Sequence, residues 1–322
     1  MATVISAAAL SPAFGEGSSI GHAAAAGRAC LEEAALTPAD VDVLINVGVY
    51  RDSNIVEPSV AALIQKRIGI NLDYLHSSGG RAALSFDLMN GACGMLNAIE
   101  AADALLSART ACRVMVVSGD THPSTDLSRS GTDAFPYAST GAALLLEYTG
   151  GRLGFGRVHH RSSRSGGFGV NGWLPLTDAG CEGRSTVVVD RDGDGVERML
   201  DLALNAVHAA LARERAATAP GDDVDHGYAA DLARVLLVCS QPSPEFPQLL
   251  AKELDLASDA VVTVEGVHGD PHTSALAHGY WQARNAGRLQ KYDALVFVAA
   301  GAGPTAAASL YRLADSTDGA AR

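Results

Sequence analysis

Residues 85–106 read SFDLMNGACGMLNAIEAADALL. A short apolar run ends in Phe86-Asp87, small residues follow, and beyond Cys93 the apolar residues take the spacing of a buried helix. The stretch predicts a strand, a turn and a helix, with one thiol at the helix start. Unpaired backbone N–H groups and the positive end of the dipole there favour thiolate, the form that attacks carbonyls. The same N–H groups could afterwards hold an oxyanion. Position alone leaves two readings open, a nucleophile or a small buried hydrophobe, which is the common role of a free cysteine.

Outward from this stretch, strands and helices alternate. Strands are predicted at 3–10, 41–49, 112–120 and 141–149, with helices near 19–36 and 56–69. The order then repeats: a strand near 152–160, a helix near 196–215, strands at 233–240 and 260–264, and a helix at 244–254 between them. A further helix opens at HTSALAHGYWQARNAG, before strands at 293–301 and 305–313. Apolar runs separated by helices predict an α/β fold with sheets buried on both faces. Cys93 stands 21 residues before Val114, and His272 stands 23 before Leu295. That echo predicts a duplication, with halves at 1–150 and 151–322 meeting at GGRLGFG. Two such halves packed face to face bring the starts of their central helices together.

The bulk numbers narrow the function classes. A chain of 322 residues that is 48% hydrophobic can bury a large core, while a net charge of -12 argues against nucleic acid or an anionic membrane surface as partner. No apolar run approaches the roughly 20 residues of a membrane span. The five cysteines are odd in number and lack CxxC spacing, which fits a reduced, cytoplasmic protein. Cys30, Cys112 and Cys239 read as core, and Cys181 as a loop residue.

Three motifs are set aside. DRDGDGVERMLD (190–201) has the acidic spacing of a calcium loop but ends in Asp201 instead of a bidentate Glu. GFGVNG (167–172) meets GxGxxG, yet WLPL follows where a helix should. His159 and His160 point to opposite faces of a strand, and His268, His272 and His278 lack a fourth ligand, so no metal is expected.

FDLMNGACGMLNAI resembles the active-site segment of the ketosynthase III branch of the thiolase superfamily. VVSGD (116–120) is similar to the strand after that helix, and YASTGAALLLE (137–147) to the family's FGDGAGAVVLE. HTSALAHGYWQARNAGRL and FVAAGAGPTAAASLYR resemble the family's second central helix and closing hairpin. The match runs along nearly the whole chain. It implies a thiolase-like fold in αβαβα layers, an acyl-Cys93 thioester, no cofactor beyond the thioester substrate, and a homodimer. It also implies an oxyanion hole from the N–H groups of Cys93 and Gly303.

The departures shape the expected chemistry. Ser240 stands where the family's catalytic His belongs, and His272 where its catalytic Asn opens the second central helix. A single His can serve as base to Cys93 and then to an acceptor. Ser240 is read as a possible hydrogen-bond partner of His272, and His268 and Asp270 as possible orienting residues. The resemblance to ketosynthase III-like acyltransferases of natural-product pathways implies acyl transfer to a small-molecule hydroxyl or amine. Decarboxylative condensation and a non-catalytic partner subunit are the alternatives. The segment SPAFGEGSSIG lacks the Trp that usually meets coenzyme A, which leaves an acyl carrier protein as donor beside coenzyme A; Arg157, Arg161 and Arg164 could receive it.

Overall fold

The computed structural model describes residues 3–12, 17–72, 82–163, 170–174, 182–216, 232–301 and 303–313. The first sheet is built from β1 (Thr3–Leu10), β2 (Val43–Asn46), β3 (Leu84–Asp87), β4 (Arg113–Asp120) and β5 (Thr140–Tyr148). Its helices are α1 (Ser19–Glu33), α2 (Val60–Ile68) and α3 (Gly94–Ser107). The rest comprises β6 (Gly154–Phe155), β7 (His159–Ser162), β8 (Val170–Trp173), β9 (Val188–Arg191), α4 (Gly195–Ala216), β10 (Val235–Cys239), α5 (Phe246–Glu253), β11 (Val261–Val262), α6 (Ala275–Asn285), β12 (Ala294–Gly301) and β13 (Thr305–Arg312).

The two large sheets have one plan. In the order β1-β5-β4-β2-β3 the first two pairings are antiparallel and the last two parallel. In β6-β13-β12-β10-β11 the same sequence of pairings recurs, and β7 adds to β13.

Alternation within the strands gives each sheet two apolar faces. Val43 and Ile45 of β2 and Leu295 and Phe297 of β12 face the central layer, where α3 and α6 pack through Met95, Ile99, Leu276 and Ala277. The residues between them, Leu44 and Val296, face the outer helices. α1 and α2 cover one side of the molecule, α4 and α5 the other. Helix, sheet, helix, sheet, helix is the layering expected for a thiolase-like chain, and it buries the starts of α3 and α6 between the sheets.

Three local expectations change. The strand near 152–160 is broken into β6 and β7. No strand is predicted between 160 and 233, but Val170–Trp173 pairs with Val188–Arg191 as a two-stranded ribbon. Cys112 is exposed, not core, because it precedes β4 and its N–H donates to Asp42 (2.7 Å). Cys181 and Arg164 lie outside the described residues. In the calcium-like loop, Arg198 pairs with Asp192 (2.8 Å) and Asp194 (3.3 Å), so two of the would-be ligands are engaged by a guanidinium.

Candidate active site

The Phe-Asp step before the thiol is an anchor. Asp87, at the end of β3, accepts hydrogen bonds from Ser59 Oγ (3.0 Å), Val60 N (2.9 Å), Ala61 N (2.9 Å) and Asn46 Nδ2 (2.8 Å). It thereby caps α2 and fixes where the chain leaves the sheet. A turn with Gly91 at φ +51° then delivers Cys93 to the N-cap of α3. Cys93 is 1% exposed, and its sulfur faces Ala299 O (3.7 Å), Thr305 O (3.8 Å) and Thr305 Oγ1 (3.7 Å) of the closing hairpin.

Helix-start position predicts a thiol shifted toward thiolate, and the structure reverses that. Burial pushes the Cys93 thiol up to about 11, with the Thr305 hydroxyl acting in the opposite sense. Desolvation outweighs the dipole here, and the two carbonyl oxygens accept only from the protonated sulfur. The Cys93 N–H donates to Asn90 O (3.1 Å), so it is already paired in this state. Gly303, the other oxyanion donor expected, sits exposed in the β12–β13 turn at φ +109°.

His272 occupies a 3-10 turn (His272–Ser274) that leads into α6, with its backbone at φ +48°. Its Nδ1 meets Asp120 Oδ2 at 3.1 Å. Asp120 ends β4, is buried, and also accepts from Thr273 Oγ1 (2.5 Å), Val49 N (2.9 Å) and Tyr50 N (2.8 Å). Burial opposes charge on both partners, yet their mutual attraction holds Asp120 below and His272 above the ordinary values. An ionised Asp120 can only accept, so Nδ1 donates and Nε2 is left for chemistry. Nε2 faces Gly91, where a Cβ would stand 3.6 Å from it. Tyr137 and Tyr50 cover the imidazole, their ring centroids 4.5 and 5.4 Å away.

The remaining residues singled out by sequence divide. Asp270 Oδ1 accepts from His272 N (2.8 Å), and burial pushes its carboxyl up to about 6 although His272 opposes this. It therefore fixes the backbone of His272 and leaves the ring to Asp120. Ser240 is a correction: its Oγ accepts from Ala300 N (2.8 Å) and donates to Ala300 O (3.1 Å), which clamps the end of β10 to β12 and commits its proton to the backbone instead of His272. His268 is exposed and lines a separate cavity with His278.

Asp120, Tyr50, Tyr137 and Thr305 were missed. Only Asp120 left a usable signal, an acid closing an apolar strand. A cavity of about 320 Å³ is lined by Tyr50, Tyr137, Asp270 and His272, by Gly91 and Ala92 of the turn before Cys93, by Gly301, and by Trp173, Arg191 and Met199. Among the described residues no cluster of three or more His, Cys, Asp or Glu could hold a metal ion, and no helix is long and apolar enough to cross a membrane.

No family model matches the chain. It is 26% identical over 299 residues to the beta-ketoacyl-acyl-carrier-protein synthase III of Sinorhizobium medicae, covering 91% of this chain and 83% of that protein. It is 27% identical over 300 residues to the same-named protein of Rhizobium johnstonii, with the same coverage. Among solved structures, the 3-oxoacyl-(acyl carrier protein) synthase III of Pseudomonas aeruginosa superposes with a TM-score of 0.73 at 18% identity, over 98% of this chain and 99% of that one. A variant of Xanthomonas campestris OleA with bound lauric acid and lauroyl-CoA gives 0.72 at 16%, over 97% and 99%.

Proposed function

Since the chain is ketosynthase III-like and has the thiolase fold, we propose that it is an acyltransferase working through a thioester on Cys93. The observation that carries this reading is His272, held on Asp120 with Nε2 facing the turn that leads into Cys93. His272 takes the proton of the Cys93 thiol as the sulfur attacks the carbonyl of an acyl thioester, and gives it to the departing thiol. In the second step His272 removes a proton from an acceptor hydroxyl or amine. That group attacks the acyl carbon, the C–S bond breaks, and the proton returns to Cys93. Asp120 keeps the ring in one tautomer and stabilises the imidazolium between steps. Gly303 N–H is assigned to the developing oxyanion, together with Cys93 N–H once it leaves Asn90.

Acyl transfer is favoured over condensation because Ser240 is bonded within the sheet, leaving His272 without the second polar side chain that a pair would need to hold a malonyl thioester. The acyl group arrives on acyl carrier protein or coenzyme A, and the enzyme acts as a homodimer, which sedimentation would report near twice 33.1 kDa.

Intact-mass measurement after incubation with acyl-CoA or acyl-carrier-protein thioesters tests the first step. Wild type gains the acyl mass and Cys93→Ala gains none. No gain with any donor rejects the enzyme reading, and CO2 release from malonyl donors in step with product replaces transfer by condensation. His272→Ala slows turnover by about 10²–10⁴.

A further inference from the structure

One side chain of the cavity that His272 lines is left without a task. Arg191 is its only Lys or Arg among the described residues, and it is exposed. The ribbon aims it there. Val170 pairs with Arg191 and side chains alternate, so Val170, Gly172 and Arg191 share one face of β8 and β9. All three line the cavity. An added Cβ on Gly172 would stand 3.2 Å from Tyr50 Oη, so this face rests on a ring that covers His272.

The neighbouring acids are committed to other donors. Asp190 accepts from Trp173 Nε1 (3.1 Å), Asp192 and Asp194 pair with Arg198 (2.8 and 3.3 Å), and Asp270 accepts from His272 N (2.8 Å). Asn54, also in the lining, gives its amide to Arg184 O (2.7 Å) and Thr186 O (3.0 Å). The Arg191 guanidinium itself has no hydrogen bond or ion pair among the described residues. It keeps its charge at any working pH and offers a fork of donors that matches a carboxylate. Its charge reaches the side of the base: burial pushes Asp270 and Tyr137 up, and Arg191 is among the groups that oppose this. The volume of about 320 Å³ is at the small end for ligand sites.

We propose that Arg191 selects the acceptor, a small carboxylate that takes two parallel N–H···O bonds from its guanidinium and presents a hydroxyl or amine to His272 Nε2. This selection rests on acyl transfer through Cys93. The acceptor's nucleophile adds to the acyl carbon as the C–S bond breaks, and its proton passes through His272 to the sulfur. The test loads the full-length protein with an acetyl or butyryl thioester of coenzyme A or acyl carrier protein and removes the donor. Loss of acyl mass is then followed with lactate, 3-hydroxybutyrate or β-alanine against the corresponding amides. At least one carboxylate should discharge Cys93 about tenfold faster than its amide. Arg191→Gln should erase that preference, and Arg191→Lys should keep part of it. If the thioester forms and no carboxylate outpaces its amide, the proposal falls while the thioester chemistry stands. If no thioester forms, both fall. A preference that survives Arg191→Gln also overturns the proposal, and slower loading of that variant would then assign the guanidinium to the donor's phosphates.

Discussion

At Cys93, burial and reactivity pull in opposite directions. With its thiol pushed up to about 11, labelling by iodoacetamide should be slow at neutral pH and climb about tenfold per pH unit toward that value. Thr305→Val removes the one side-chain group that stabilises the thiolate, and should slow labelling at pH 8 by roughly threefold to tenfold. The Asp120–His272 pair gives a second expectation. Asp120 is depressed below 3.8, so its stabilisation is complete above that pH and lost as pH falls through the folded value. His272 is raised above 6.5, so its stabilisation is complete below 6.5 and lost as pH rises through the folded value. The Tm deficit of Asp120→Asn should therefore be largest between pH 3.8 and 6.5 and shrink on either side. Cys93 and His272 were legible because each opens a helix. Asp120 left only an acid at the end of an apolar strand, and its role stayed hidden because its partner lies 152 residues away and only the folded chain pairs them.

Among the elements, those with an uninterrupted apolar period were readable, and β1, α3, β4 and β12 fall where the pattern puts them. The ribbon of β8 and β9 was hidden because Asn171, Gly172, Asp190 and Arg191 interrupt its apolar pattern and only Val170 packs on the core. Yet this ribbon supplies Trp173 and Arg191 to the cavity beside His272. Helix α6 shows a constraint that periodicity does not reveal. Gly279 packs so closely on β10 that an added Cβ would lie 2.8 Å from Val238 Cγ1. Gly279→Ala should thus destabilise the protein by about 1–3 kcal/mol in urea unfolding despite the better helix propensity of Ala.

For the whole molecule, duplication was legible from two spacings, while the layering that makes it useful required the sheets themselves. Packing one sheet plan twice around α3 and α6 buries histidines that no pattern marks as buried. His278 titrates at about 4 in the fold against 6.5 unfolded, so the unfolded chain binds more protons between these values and stability falls as pH drops through that window. The loss should reach about 3 kcal/mol near pH 4, and His278→Phe should flatten it in urea melts run from pH 7 to 4.

The backbone at residue 272 carries a consequence of its own. At φ +48° it lies where Asn, Asp and His are several-fold enriched and β-branched side chains are genuine outliers. His272→Asn loses the pair with Asp120 but keeps the backbone conformation, whereas His272→Val loses both and should melt several degrees lower than His272→Asn. A substitution here is thus screened for conformation before it is screened for catalysis. Any change at this site draws from a short menu of side chains, and exchanging an imidazole for a carboxamide is among the few steps that keep the backbone conformation, at the expense of the pair with Asp120.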